Sequence, residues 1–425
     1  MRTLAVADRN RWRMIWTIFT MLAIISALLL VTVVPASAAA PNLTPPQTVL
    51  GSNIHLGAFD TELAHLDWIA TTGMNTLGYG TGTLDDYKVL LQAAQQRGQK
   101  AYVSLSPSFL SASDAAVQSF VASLAGYDSV SLWMLPEEPV SSADHAAWAR
   151  LYALVKAADP KKRPIGVYLA EDTTAAYFRS WSDIADVIFC GAYQELYGLN
   201  RAAIVTRVKG AVEGLAGTGK AVISTPQYFD LKTYMQANGL TSAPAGMYVG
   251  HPSPQAARFD AYVSLIVGAQ GLNWYTLEYG LALTDLTPAI QKISKELKEL
   301  TPVIMSTEKV PTSITVKQLT GPTQSADAGG RRHDTIQSMI RQYKGATYIF
   351  VASLVPDVVS VQFSGLSGAK AEVLYESRSL AIRNKAFKDN FSNYAVHVYK
   401  ITTTATRAPG DESTEEALAS DEQVE

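Results

Sequence analysis

Glu137 and Glu138 stand side by side between Pro136 and Pro139, at the tip of the apolar run Leu132-Trp133-Met134-Leu135. Two like charges in a partly desolvated cleft raise the pKa of at least one of them, and a proton held near neutral pH is what a general acid needs. That chemistry requires both side chains to face the cleft. A regular strand would send them to opposite sides, and the flanking prolines work against regular strand geometry here. The plain alternative is a charged loop that caps the next helix.

The elements that must position this pair follow from an alternation of short apolar runs with amphipathic stretches. The runs are 54–60, 74–80, 100–106, 130–139, 163–170, 187–195, 221–229 and 271–280. Helical patterns lie between them, as at 84–97, which stops at Gly98, at 143–158, which stops at Asp159-Pro160, and at 288–305. Continuous apolar strands alternating with helices imply a parallel sheet covered on both faces. About eight such units in roughly 250 residues predict a (β/α)8 TIM barrel rather than an open doubly wound sheet. After Thr307 the pattern becomes period-two alternation at 314–319, 336–343, 347–354, 359–363, 371–375 and 394–401, with 321–334 as a long hairpin loop. That texture predicts a small antiparallel β-sandwich.

In a (β/α)8 barrel the chemistry sits where strands deliver their C-terminal residues. Those ends offer Asp60, Tyr79, Ser106, then Glu137 and Glu138, then Tyr168 with Glu171 and Asp172 just beyond. Strands 6 to 8 add Tyr193 and Glu195, Gln227 and Tyr228, and Trp274 and Glu278. Carboxylates, aromatics and amides dominate. That set suits a carbohydrate, because aromatic faces stack on sugar rings, amides bind hydroxyls and carboxylates do acid–base work. Each also has a structural explanation: core packing for Trp274 and the tyrosines, surface ion pairs or helix caps for Asp60 and Glu195.

Leu135-Pro136-Glu137-Glu138-Pro139 resembles the Asn-Glu-Pro or Asp-Glu-Pro signature at the end of strand 4 in (β/α)8 glycoside hydrolases, and the resemblance implies that Glu138 is the general acid/base. Gly268-Ala-Gln-Gly271-Leu-Asn-Trp274-Tyr275 is similar to strand 8 of those enzymes, which implies that Trp274 is a substrate platform. Residues 387–399 resemble the closing strands of their accessory β-sandwich, so the likeness spans about 53–403. The sequence departs from the pattern twice. Glu137 replaces the Asn or Asp before the acid, and Gln227 stands on strand 7 where retaining members carry a nucleophilic Glu. Gln227 cannot attack as a carboxylate, so the second carboxylate must come from elsewhere. Glu278 is the first choice because it shares strand parity with Trp274 and Thr276, with Glu195 and Asp60 in reserve.

The remaining features bound the function. Net charge is −3 and no basic stripe is present, so nucleic acid is not an expected partner. No GxGxxG follows the first strand, Gly78–Gly82 lacks a P-loop lysine, and no GxSxG elbow occurs. The six histidines show no metal-ligand spacing, and His55 reads as a satisfied interior residue. No cofactor and no metal are therefore expected. Cys190, the single cysteine, lies in an apolar run and reads as a buried structural thiol. Arg2, Arg9, Arg11 and Arg13 precede the apolar stretch 14–34 and the small residues of 35–40. This reads as a cleaved export signal, with a retained membrane anchor as the alternative, and either carries the rest of the chain out of the cytoplasm.

The expected organisation is thus a signal peptide or anchor over 1–40, a linker over 41–52, a barrel and catalytic domain over 53–306, a β-sandwich over 307–405 and an acidic, disordered tail over 406–425. The expected function is an exported glycoside hydrolase acting on an oligo- or polysaccharide. A non-catalytic carbohydrate-binding barrel is the main alternative, and a surface-anchored structural protein is a third.

Overall fold

The computed structural model describes residues 49–51, 53–80, 82–139, 144–170, 173–191, 193, 200–237, 239, 241–242 and 247–402. The stretch 14–34, the tail from 406, Glu171, Asp172 and Glu195 lie outside the described residues. Among the described residues no helix is long and apolar enough to cross a membrane.

Eight parallel strands close into a barrel in sequence order: β1 (His55–Ala58), β2 (Thr76–Gly78), β3 (Lys100–Ser104), β4 (Val130–Met134), β5 (Ile165–Leu169), β6 (Val187–Gly191), β7 (Ala221–Thr225) and β8 (Gly271–Trp274). Closure is made by β1 on β8, with His55 opposite Gly271 and Ala58 opposite Trp274. Strand alternation sends one set of side chains outward to the helices and the other inward. Phe59, Tyr102, Leu132, Met134, Tyr168, Val187, Phe189, Ala221 and Ile223 form the inner core, while Trp133, Ile188, Cys190, Leu272 and Trp274 belong to the outer one. Large inward rings need small neighbours. A Cβ on Gly78 would lie 1.8 Å from the Tyr102 hydroxyl oxygen, and one on Gly166 would lie 2.8 Å from the Phe189 ring. Leu50 packs against the inner core, and its neighbour Val49 is bonded through N–H to the Gly219 carbonyl, 3.2 Å away, in the turn before β7.

The covering helices begin where the sequence supplies caps. The Thr83 hydroxyl accepts the Asp86 amide at 3.2 Å and the Asp86 carboxylate accepts the Thr83 amide at 2.9 Å, fixing the start of α2 (Leu84–Gln96) as a capping box. The chain reaches it after α1 (Leu66–Ala70) and leaves it through Gly98 at φ +66°. Then follow α3 (Asp114–Ala125), α4 (His145–Ala158), α5 (Ala175–Ser180), α6 (Ala202–Leu215), α7 (Leu231–Ala237), α8 (Pro254–Ile266), the short α9 (Leu277–Gly280) and α10 (Leu286–Ile304). In α10, Leu286, Ile290, Ile293, Leu297, Leu300 and Ile304 recur every three or four residues and are buried, so one stripe faces the core.

The C-terminal strands form a sandwich. A five-stranded sheet in the order β12 (Ile336–Tyr343), β13 (Ala346–Ser353), β18 (Val396–Thr402), β15 (Lys370–Val373), β16 (Arg378–Ala381) packs on a three-stranded one in the order β17 (Ala386–Phe391), β14 (Val359–Ser364), β9 (Thr315–Gln318). Val359, Val361 and Phe363 alternate inward along β14. The other face of the larger sheet, with Met339, Tyr348, Phe350 and Val398, joins the outer core of the barrel. The barrel-plus-sandwich architecture is the one the sequence predicts. Two details differ. Arg378–Ala381 forms an edge strand that its charged, short pattern did not signal, and the 321–334 loop is itself paired, as β10 (Gln324–Ala326) with β11 (Arg332–Asp334). This hairpin reaches back to the barrel, where the Thr206 hydroxyl donates to Asp327 at 2.6 Å and Arg331 donates to the Thr173 hydroxyl at 2.8 Å.

Candidate active site

The end of β4 is rigidly held. Leu135 N–H donates to the Gly166 carbonyl at 2.8 Å, Glu138 N–H donates to the Tyr168 carbonyl at 3.0 Å, and Trp148 of α4 donates its indole N–H to the Pro136 carbonyl at 2.8 Å. Glu138 sits at φ +55°, in the left-handed region that non-glycine residues seldom adopt. The regular alternation that would separate Glu137 from Glu138 is broken there. Glu137 contributes to raising the Tyr102 and Tyr275 phenols, behind burial as the main cause, and Glu138 contributes to raising Tyr234, again behind burial. Both glutamates are half-buried.

Asp60 caps β1 in the same conformation, at φ +53°. It is half-buried and accepts the Thr276 hydroxyl at 2.6 Å. Burial raises its pKa above the ordinary carboxylate range, and the Thr276 bond opposes that rise. In the barrel half of the chain, the other described non-glycine residue with positive φ is Lys162. Strain of this kind persists where the surroundings over-determine it and is concentrated at functional sites.

An aromatic floor adjoins these carboxylates, since Phe59 precedes Asp60 and the Glu138 amide bonds the Tyr168 carbonyl. Phe59 contacts Tyr102, Tyr168, Phe189 and Tyr275 at centroid distances of 5.8, 6.2, 6.1 and 5.7 Å. Tyr275 stacks on Tyr193 at 5.9 Å, and Phe229 links that pair to Tyr234 and, beyond it, Tyr279. Tyr193, Tyr234, Tyr275 and Tyr279 are half-buried and present partly open rings. Beneath them, His55 Nε2 meets Asn273 Oδ1 at 3.0 Å and Asn273 Nδ2 donates to the Tyr102 hydroxyl at 3.1 Å. Burial lowers the His55 pKa to about 4, so this interior histidine is neutral.

Gln227 points inward from the end of β7, 2 % exposed. Its Nε2 donates to the Phe229 carbonyl at 3.1 Å, which fixes the amide orientation because a carbonyl only accepts. Among the described residues its Oε1 has no partner, and neither has the hydroxyl of Thr225 one inward position below. A buried orphan acceptor is costly unless a donor arrives from a ligand or water.

The other sequence candidates are placed differently. Trp274 is 1 % exposed and faces outward, against Tyr228, so it is no platform. Tyr228 is fully buried outside the barrel and bonds Thr287 at 2.7 Å. Tyr79 lies on the rim over Tyr87, 5.4 Å between ring centroids. Glu278 is exposed in the first turn of α9, so the strand parity used to choose it does not exist: β8 ends at Trp274. It remains near the mouth, since Asp60 and Glu62 add to the effect of burial in raising its pKa. Glu195 lies outside the described residues. Sequence reasoning missed Tyr275, Tyr234 and Tyr279. Polar Asn273 was the available signal, because an inward Asn273 makes Tyr275, not Trp274, the inward ring. Among the described residues no three His, Cys, Asp or Glu side chains are grouped to hold a metal.

No protein-family model matches the sequence, and no curated protein is significantly similar to it. Solved structures are similar in fold. A β-galactosidase from Bacillus circulans sp. alkalophilus aligns with TM-score 0.55 at 7 % identity, over 83 % of this chain and 99 % of that one. A structure described as a glycoside hydrolase aligns with TM-score 0.53 at 14 % identity, over 83 % and 93 % of the two chains. An Anoxybacillus α-amylase aligns with TM-score 0.49 at 12 % identity, over 80 % and 89 %. The chain has the fold of a (β/α)8 glycoside hydrolase with a C-terminal sheet domain.

Proposed function

We propose that this chain is an exported glycoside hydrolase that cleaves O-glycosidic bonds of an oligo- or polysaccharide, with Glu138 giving its proton to the leaving oxygen and Asp60 as the second carboxylate. One observation carries this reading: Asp60 and Glu138 are the half-buried carboxylates held in left-handed backbone at the ends of β1 and β4, beside one aromatic floor. Asp60 replaces Glu278 in that role because Glu278 is exposed on a helical turn. With Gln227 unable to attack, Asp60 acts as a base. It takes a proton from water as the water oxygen bonds to the anomeric carbon, and the glycosidic bond breaks with its electron pair on the oxygen that Glu138 protonates. Tyr193 and Tyr275 supply stacking faces. Export rests on the basic residues before 14–34 and the small residues after it.

The test is release of reducing sugar or aryl alcohol across a panel of polysaccharides and aryl glycosides. Wild type should hydrolyse at least one class, and Asp60→Asn should bind it without turnover. Gln227 also favours a second reading, a non-catalytic glycan-binding barrel, which is the outcome if wild type binds glycan and releases nothing.

The pH profile gives a sharper check. A base must be ionised, and burial holds the Asp60 pKa above the usual range, so the acid limb of kcat/KM should lie above the position of an ordinary aspartate. Thr276→Val removes a hydrogen bond that favours the charged form, so the limb should move further up in pH. A limb that stays where it is, with activity intact, excludes Asp60 as the base.

A further inference from the structure

At the opposite end of the barrel from the carboxylates, a partly enclosed cavity of about 220 Å³ lies between the barrel floor and the sandwich. Its walls are mainly apolar, including Val222, Leu265, Ile304 and Met339, and two cationic side chains, Lys220 and Arg341, reach it. Lys220 is accounted for: its ammonium group donates to the Ser182 and Ala185 carbonyls, and Asp183 and Asp186 offset its charge. Arg341 is not. It is 6 % exposed, its Nε donates to the Ile304 carbonyl and its Nη1 to the Ile340 carbonyl, each at 3.0 Å, and its Nη2 bonds no described residue.

Among the described residues no carboxylate pairs with Arg341. Burial alone lowers its pKa, to about 10, with no opposing charge to restore it. Ile304 ends α10, so its carbonyl offers the partial negative charge of a helix C-terminus. A partial charge does not neutralise a buried guanidinium, and an unpaired buried ion is destabilising unless a counter-ion reaches it. A guanidinium fork matches a carboxylate bidentately, and the apolar walls call for an apolar body behind it. The space is only about 220 Å³, so that body is short.

We infer that the cavity beneath the barrel is a binding site for a small organic monocarboxylate, its carboxylate on Arg341 and its short apolar body against Val222, Leu265 and Met339. Lys220 precedes β7 and Val222 lies near its start, whereas Gln227 follows its far end, so this site is separate from the candidate active site and does not depend on its chemistry.

The experiment is calorimetric titration and thermal unfolding of the full chain with sodium hexanoate, sodium acetate and hexan-1-ol at constant ionic strength. Hexanoate is expected to bind saturably and raise Tm, with acetate and hexanol at least tenfold weaker. Arg341→Met should remove hexanoate binding while remaining as stable as wild type or more so, because a buried unpaired charge is replaced by an apolar side chain of similar length. Should that variant fail to fold, Met305→Trp fills the cavity from its half-exposed rim, leaves Arg341 in place, and should equally abolish binding. The proposal is overturned if hexanoate does not saturate wild type, if either folded variant binds it undiminished, or if acetate binds as tightly as hexanoate.

Discussion

Glu138→Gln should lower kcat by about 10²- to 10⁴-fold on substrates with alkoxide leaving groups, the usual share of a positioned general acid. At about 1.4 kcal/mol per factor of ten, this is a loss of roughly 3–6 kcal/mol of transition-state stabilisation. The amide keeps the size and hydrogen-bonding reach of the side chain but has no proton to give. The deficit should therefore shrink as the leaving group improves, because a nitrophenolate departs without protonation. Steady-state kinetics on a graded series of aryl glycosides reads this directly. A deficit that is the same for every leaving group would mean that Glu138 positions substrate and does not protonate it. Glu137→Gln gives the contrast. Glu137 is half-buried next to Glu138 but is not held in the left-handed turn, so its loss should raise KM more than it changes the leaving-group dependence.

The strand ends that hold this chemistry were legible because their apolar runs are continuous, and continuous runs occur only in strands buried on both faces. A helix end was legible where a glycine stops the pattern, as at Gly98. What lay beyond the sequence was orientation. Leu272 and Trp274 share one parity and Asn273 and Tyr275 the other, and the resemblance at strand 8 favoured Trp274 as the important ring. The barrel reverses that choice because Trp274 belongs to the outer layer, packed against the helices. A polar Asn273 is affordable only inside, where His55 and Tyr102 satisfy it. The left-handed turns at Asp60 and Glu138 were likewise out of reach. Each depends on hydrogen bonds across strands distant in sequence, to Thr276 and to Tyr168. Asp60 therefore stood in reserve, behind a Glu278 whose parity assumed a longer β8 than the chain makes.

These turns hold their shape only if β4 and β5 hold theirs, and one buried network governs that seam. Asp159, at the C-terminus of α4, accepts the Trp133 indole N–H at 2.9 Å, the Arg163 and Lys161 amides at 3.0 Å each, and Arg163 Nη1 at 2.9 Å. Asp159 is 1 % exposed and Arg163 8 %, and Arg163 Nη2 goes on to the Ala125 and Tyr127 carbonyls at 2.9 and 2.7 Å. Asp159→Ala strands a buried guanidinium and an indole N–H, and should destabilise the protein by about 3–5 kcal/mol. Asp159→Asn keeps the shape but loses the charge, and should fall between alanine and wild type. The pH dependence has a definite sign. Burial by itself would raise the Asp159 carboxyl, but the hydrogen bonds from Trp133, Arg163 and Lys161 and the Arg163 charge outweigh it and hold the pKa below its ordinary value. The contribution is thus fully present above the unfolded carboxylate range, and is lost as pH falls through the depressed folded value. Denaturant unfolding of wild type and both variants from pH 7 downward should show their stabilities converging in acid. A gap between wild type and Asp159→Asn that stays constant to the lowest pH would mean that packing around Trp133, and not the charge on Asp159, holds the β4–β5 seam.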